Sequence, residues 1–326
     1  MNQYNNNNNF SQNNFIKNQN GYNTPPLGGD FVLSNRDIDN LRHKAEIPLF
    51  HVQQVVNILF IISVIAVFIF TFSDSMSKLQ DVFTESMQNT STSLNYDYAD
   101  KIPASIQLFA TLLIIVPYLL FLLAYFYGQV RSRAVKITPR QFPEIYDLIV
   151  KYSYRLNLKE IPEAYIVQEN GILNAFSSFV LRKKYIQINA DLFEVAYREY
   201  HDIDSIGFVV AHEMAHIKLK HASLPYQLWI LWASVIPFLS QTSSRTREYS
   251  CDRLAQIVSG SDGIQAMMAL TVGKHLYKRI DVQDYIDNSI HVNGFFVGLY
   301  NLLSTHPILP KRIKALVIRN KSGDLF

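Results

Sequence analysis

Two histidines in the second half of the sequence have the spacing of a metal site. His212 and His216 stand four residues apart in the segment His-Glu-Met-Ala-His. On a helix such residues lie one above the other, so both imidazoles can reach one zinc ion at about 2.0–2.1 Å. Glu213 would project beside them, where its carboxylate can take a proton from a water molecule. We predict one zinc ion per chain with Glu213 as general base; the alternative is a surface helix with two stacked histidines.

A catalytic zinc site also needs a third protein ligand and one open position. The metzincin arrangement would place glycine at 219 and histidine at 222, but this chain has Leu219 and Ala222. Glu248 and Asp252 instead lie four residues apart on a second predicted helix, hence on one face. Glu248 is the predicted third ligand, and Asp252 is predicted to accept the far N–H of a ligand histidine. The alternative is an exposed helix on which these carboxylates pair with neighbouring arginines.

Residues from about 131 onward predict an α+β domain that positions these side chains. Thr138-Pro139 indicates a helix start, because proline suits the first helical position. The helix that carries both histidines is predicted at about 205–221, with Asp204 as its N-cap. Short runs typical of strands, followed by a short helix, come earlier in the domain: Ala164–Gln168, Leu173–Val180 and Tyr185–Asn189, then helix 191–198.

Two uncharged apolar runs precede this domain, Val55–Phe72 and Ile106–Tyr127. As helices they would be about 27 Å and about 33 Å long, enough to cross a bilayer. A buried helix of a soluble protein is the alternative, but helices apolar on every side at this length are unusual there. A cleaved signal peptide fits poorly, because the first run starts far from the N-terminus. We predict two transmembrane helices within an anchor that spans 31–130.

Basic residues flank these runs unevenly. Three precede the first run and four follow the second, against two in the connecting loop 73–102: Arg36, Arg42 and Lys44; Arg131, Arg133, Lys136 and Arg140; Lys78 and Lys101. Positively charged flanks stay on the cytoplasmic side. The pattern predicts a multi-pass integral membrane protein with an outer loop 73–102. Both termini and the catalytic domain, residues 131–326, are then cytoplasmic.

The composition limits the structure of the N-terminal tail, the kinds of partner and the cross-links that the chain can have. Residues 1–30 are rich in asparagine without any hydrophobic period, which predicts a disordered tail. The formal net charge of +3 gives no support for a nucleic-acid partner. The single cysteine excludes an intrachain disulfide.

The zinc motifs together resemble a known family. His212–His216 followed by Arg247–Asp252 is similar to the HtpX-like and Ste24-type (CAAX prenyl protease-like) membrane zinc metallopeptidases. Asn174-Ala175-Phe176 resembles the family's Asn-Ala-Phe strand. Ser304–Pro307, with Arg312 beyond it, resembles its late His-Pro and Arg element. The resemblance covers about 135–326.

This resemblance implies a mainly helical, gluzincin-type zincin domain with a small β-sheet and endopeptidase activity. It implies that Asn174, Ala175 and Phe176 form an edge strand that aligns the substrate backbone by β-addition. His306 would stabilise the oxyanion of the tetrahedral intermediate or occupy the open zinc position in a resting state. Arg312 would support the site. By resemblance to HtpX, the polypeptide substrates are misfolded or damaged membrane proteins.

A third apolar run, 224–239, lies between the predicted zinc ligands. A single crossing there would put His216 and Glu248 on opposite sides of the bilayer, so the run must be interfacial, re-entrant or buried. Trp229 and Trp232 favour the headgroup region, where aromatic residues concentrate. The oligomeric state is open at this point.

Two other functions compete with membrane-protein quality control. One is a membrane adaptor that keeps zinc without catalysis, although a structural zinc site has no use for the carboxylate of Glu213. The other is a tethered peptidase that processes soluble substrates. Only two predicted spans precede the domain, which disfavours the many-span chamber of the prenyl proteases.

Overall fold

The computed structural model describes residues 16–17, 23–24, 31–88, 103–168, 175–180, 183–198, 200–290, 294–318 and 323–325. This part of the chain is mainly helical with a small mixed sheet, which confirms the α+β prediction. The predicted disordered tail lies mostly outside the described residues, apart from a short antiparallel pair, β1 (Ile16–Lys17) and β2 (Asn23–Thr24).

The helices of the described residues follow one another along the chain as α1 (Asn35–Leu41), α2 (Glu46–Gln88), α3 (Ala104–Arg133), α4 (Pro143–Arg155), α5 (Ala190–Tyr197), α6 (Ile203–Lys218), α7 (Leu224–Ile230), α8 (Leu239–Ser259), α9 (Ile264–Val272), α10 (Val282–Ile290), α11 (Phe295–Leu303) and α12 (Leu309–Val317). The larger sheet contains β3 (Val135–Lys136), β4 (Glu163–Val167), β5 (Ala175–Val180) and β6 (Lys183–Asn189). Its order is β3-β4-β6-β5. Strands β4 and β6 are parallel and the other pairs antiparallel, which leaves β5 at an edge.

Helices α2 and α3 contain both predicted spans. Each has a stretch long and apolar enough to cross a membrane, Glu46–Phe72 and Ile106–Arg133. Their large apolar side chains are mostly exposed, unlike those of a core helix, and the rings of Phe68 and Phe109 stack at 4.6 Å between the helices. The structure thus supplies two candidate membrane helices. Because α2 continues to Gln88, residues 73–88 of the predicted outer loop are helical, while 89–102 lie outside the described residues.

The chain before α2 packs on the domain that follows α3. Leu33 and Ile38 are buried in the main hydrophobic core, and the Leu33 N–H donates to the Arg155 carbonyl at 2.8 Å. Residues 31–46, predicted as part of the anchor, therefore pack with the C-terminal domain.

Helix α6 runs through the centre of the core. Ile206, Val210 and Met214 on it are fully buried. At Gly207 the Tyr152 hydroxyl comes so close that a Cβ would lie 2.8 Å from it, so a glycine allows α4 to approach. This packing leaves the face that carries the two histidines directed towards α8.

The run 224–239 does not form one spanning helix. It folds as α7 and a 3-10 turn, Ala233–Val235, and the seven residues of α7 reach only about 10 Å. Ile230 is buried, whereas Trp229 is exposed. The Trp232 ring lies 4.8 Å from the Phe60 ring of α2. The segment is therefore partly buried against the first apolar helix.

Candidate metal centre

Helices α6 and α8 bring the three predicted zinc ligands together. The Nε2 atoms of His212 and His216 lie 3.2 Å apart. The Glu248 carboxylate oxygens lie 3.5 Å from His212 Nε2 and 3.4 Å from His216 Nε2. A tetrahedral zinc ion with ligands about 2.1 Å away separates neighbouring ligand atoms by about 3.4 Å. The distance to His212 is from Glu248 Oε2 and the distance to His216 is from Oε1, and one donor atom from each of the three residues lies within 4.8 Å of the other two. The three side chains are thus close enough together to hold one zinc ion.

The charge at the site also suits a cation. Burial would lower the pKa of His212, but hydrogen bonds to Asp252 and Glu248 outweigh it and raise the pKa to about 10. The buried carboxylates therefore draw positive charge into this position. Two imidazole nitrogens and one carboxylate oxygen are ordinary zinc ligands. The residues present fit a zinc ion.

Asp252 lies where its predicted role requires. Its Oδ1 is 2.9 Å from His212 Nδ1, on the side of the ring away from Glu248. Arg312 grips the same carboxylate with two hydrogen bonds, from Nε at 2.8 Å and from Nη2 at 2.6 Å. The fixed carboxylate can hold the His212 ring in one orientation. Arg312 thus acts on the site through Asp252.

Glu213 is buried on α6 and lines a cleft of about 360 Å³ together with the three ligands. Burial raises the pKa of Glu213, although the charges of His216 and His212 oppose this. A raised pKa brings a carboxylate closer to the range in which it both accepts and returns a proton at neutral pH.

The edge strand β5 forms one wall of the cleft. Ala175 and Phe176 line it, and Phe176 is exposed. Asn174 lies outside the described residues. An edge strand beside a cleft can pair with an extended peptide along its outer side.

His306 lies at the mouth of the cleft, in the loop between α11 and α12. Its Nδ1 is 3.1 Å from Glu248 Oε2, and its side chain is 63% exposed. Sequence reasoning did not find what holds this loop. Arg245, a surface residue only in the alternative of an exposed helix with surface ion pairs, is fully buried and donates to three carbonyls around the end of α11: those of Asn301, Leu302 and Ser304.

Sequence reasoning also missed two residues behind His216. His221 Nδ1 lies 3.0 Å from His216 Nδ1, and His221 Nε2 lies 2.9 Å from the Glu46 carboxylate. Burial lowers the pKa of His221 to about 4, although Glu46 opposes this. Cys251 is fully buried, with Sγ 3.7 Å from His221 Nδ1. The only sequence signal was a histidine one position short of the metzincin ligand.

A mainly helical α+β domain that brings two histidines and a glutamate close enough to hold one metal ion is typical of metal-dependent hydrolases. The sequence model of peptidase family M48 matches residues 139–226 and 224–320, more than half of the chain. The chain belongs to this family, which is one of zinc-dependent metallopeptidases. Comparisons with curated proteins and with solved structures find no significant match.

Proposed function

We propose that this protein is a membrane-anchored zinc endopeptidase. The observation that carries the proposal is the triangle of donor atoms from His212, His216 and Glu248, which lie within 4.8 Å of one another. Glu213 lies beside that triangle in the same cleft. A purely structural zinc site, as in a membrane adaptor, has no use for this additional buried carboxylate.

The residues of the cleft can carry out peptide hydrolysis. Zinc, when bound, supplies Lewis-acid chemistry that lowers the pKa of a water molecule toward neutrality. Glu213 takes the proton of the attacking water, the scissile C–N bond breaks, and Glu213 returns the proton to the leaving amine. Asp252 holds His212 in the tautomer that presents Nε2 to the metal.

The walls of the cleft suggest how a substrate is held. The edge strand β5, with Phe176 in the wall of the cleft, would add an extended substrate as a further strand. His306 would either stabilise the oxyanion or occupy the open zinc position at rest. Its exposed ring, tethered to the site only through Glu248 in the described structure, is compatible with both roles.

The two apolar helices favour substrates that lie at or in a bilayer. The exposed apolar faces of α2 and α3 need a covering, and a bilayer provides one. We propose misfolded or damaged membrane proteins as substrates, by the resemblance to HtpX. A tethered peptidase that processes soluble proteins is the second candidate, because the cleft itself does not select a membrane-derived chain.

Metal removal tests the enzymatic function. Full-length protein purified in detergent should cleave an unfolded polypeptide, lose this activity with a strong chelator, and regain it with stoichiometric zinc. The loss is expected because the remaining groups have no Lewis acid to activate water. Zinc content by mass spectrometry and fragment formation on gels measure both steps. Cleavage that survives complete zinc removal would contradict the proposal.

A labelling experiment tests the orientation. Single cysteines at Thr90, Lys183 and Val317, in a Cys251→Ala background, should report two compartments. Position 90 is expected to react with an impermeant thiol reagent added outside, and positions 183 and 317 only after the membrane is opened, because the basic flanks stay inside. Reaction of positions 90 and 183 from the same side would refute the crossing by α3, the helix that lies between them.

The structure determines which position near the C-terminus suits the third single cysteine of this experiment. Gly323 lies closer to the C-terminus, but its φ is +102° and a Cβ there would lie 2.6 Å from the Tyr249 ring. A cysteine at 323 would disturb α8. Val317 is exposed on α12 and avoids this.

A further inference from the structure

A buried carboxylate lies at the first residue of the first apolar helix. Glu46 is 1% exposed and accepts hydrogen bonds from Arg42, at 2.5 and 3.1 Å, and from the Ser250 hydroxyl on α8. Its remaining contact is with His221 Nε2 at 2.9 Å. A carboxylate in such a position is costly unless every partner is well placed.

These contacts continue to a predicted zinc ligand. A carboxylate only accepts, so the proton shared with Glu46 belongs to His221 Nε2. A neutral His221 then has its lone pair on Nδ1, which faces His216 Nδ1 at 3.0 Å and the Cys251 sulfur at 3.7 Å. The proton between the two rings therefore lies on His216 Nδ1, and His216 Nε2 keeps its lone pair towards the metal position.

The side chains that contact the Nδ1 atoms of the two predicted ligand histidines are arranged in similar ways. His212 is backed by Asp252, whose carboxylate is gripped by Arg312. His216 is backed by His221 and then by Glu46, whose carboxylate is gripped by Arg42. In both cases an arginine-bound carboxylate fixes the tautomer of an imidazole ligand, an arrangement that raises metal affinity.

We propose that Glu46 and His221 are positioning residues that hold His216 ready for zinc, so that the base of the first apolar helix forms part of the metal site. This proposal rests on the proposed role of His216 as a zinc ligand. It makes zinc affinity depend on contact between the anchor and the C-terminal domain.

The same atoms allow a different arrangement. Donor atoms of His216, His221 and Cys251 lie within 4.8 Å of one another, which is close enough for a second metal ion. Such an ion would need the thiolate of a fully buried cysteine and would displace the proton between the two rings. The contact with Glu46 suits both arrangements, whereas the fully buried Cys251 thiol is a poor source of thiolate and favours the hydrogen-bonded relay.

Zinc affinity of the full-length protein in detergent tests the relay. Wild type is compared with Glu46→Gln, His221→Gln, the double variant and a matched control, Ser243→Ala. The control removes another buried α2–α8 hydrogen bond, from Ser243 Oγ to Gln53 at 2.7 Å, which does not reach the zinc ligands. Chelator competition gives the dissociation constant, the cobalt-substituted protein gives the visible absorption spectrum, and thermal melting without metal gives the stability.

We expect both relay variants to bind zinc about 10-fold more weakly or worse, with an altered cobalt spectrum. The double variant should be no weaker than His221→Gln alone, because Glu46 acts through His221. Ser243→Ala should keep wild-type affinity even where its metal-free melting temperature falls. Should Glu46→Gln fail to fold, His221→Gln, which leaves the Arg42 pair intact, decides the question.

Unchanged zinc affinity in the relay variants, or an equal loss in Ser243→Ala, would overturn the relay while leaving zinc at the catalytic site. Two zinc ions per wild-type chain, falling to one in His221→Gln, would overturn it in favour of a second metal. Wild type that binds no zinc at all would overturn both the relay and the proposed function.

Discussion

Replacing Glu213 by glutamine is expected to abolish proteolysis and to leave zinc content and fold unchanged. The amide has nearly the same shape as the carboxyl group but cannot accept the proton of the attacking water. General-base catalysis contributes about 10²–10⁴-fold, so cleavage should fall by at least that factor. Zinc should stay because its three donor atoms belong to other residues.

The burial of Glu213 also predicts the stability of the glutamine variant. Because burial raises the pKa of Glu213, the native fold already disfavours its charge, and a neutral amide should not lower the melting temperature. The measurements are fragment formation, zinc per chain and thermal melting on the same preparation. Proteolysis within ten-fold of wild type would take Glu213 out of its role. Loss of zinc would mean that the variant fails for another reason.

Local spacing sufficed to predict most of the candidate site. His212 and His216, and again Glu248 and Asp252, are four residues apart, and a helix places such residues on one face whatever its surroundings. The structure turns both faces towards each other. The assignment of each residue's role remains a prediction that the variants test.

The sequence pattern could not predict contacts between residues that are far apart in the chain. Glu46 and His221 meet only because α2 packs beside α8, and no periodicity links positions so far apart. Arg245 looks like a surface arginine in the sequence, yet it is buried because the carbonyls at the end of α11 need a donor.

Element boundaries were also shifted by local backbone interactions. The N-cap of α6 is Asp202, which accepts from the Ser205 N–H, and the predicted cap Asp204 lies inside the helix. Helix α4 begins at Pro143 and not at Thr138-Pro139, because Thr138 and Gln141 first exchange two backbone hydrogen bonds in a turn. In both cases a residue of the same type as the predicted one, Asp202 or Pro143, lies within four positions of it and marks the observed start of the helix.

Replacing Glu248 by alanine is expected to remove most of the bound zinc and all measurable cleavage. Two imidazoles alone leave the metal with two protein ligands, fewer than catalytic zinc sites use. The loss of affinity should exceed the roughly 10–100-fold typical of residues that only orient a ligand. Asp252→Ala is the comparison, with an expected loss inside that range.

The Asp252 variant has a second consequence that the geometry predicts. Arg312 Nη2 lies 3.7 Å from Glu248 Oε2, and without Asp252 its buried charge has that carboxylate as its nearest partner. Part of the zinc loss in Asp252→Ala would then come from Arg312 drawing Glu248 away. Asp252→Ala combined with Arg312→Met should therefore regain affinity over Asp252→Ala alone.

Chelator competition on Glu248→Ala, Asp252→Ala and the double variant distinguishes a zinc ligand from a residue that orients one. A Glu248→Ala loss larger than that of Asp252→Ala, together with recovery in the double variant, is the expected order. Equal, small losses in both single variants would mean that another residue completes the metal site. In that case the cleft would still contain Glu213 and the edge strand, but the donor triangle that carries the proposed function would be wrong.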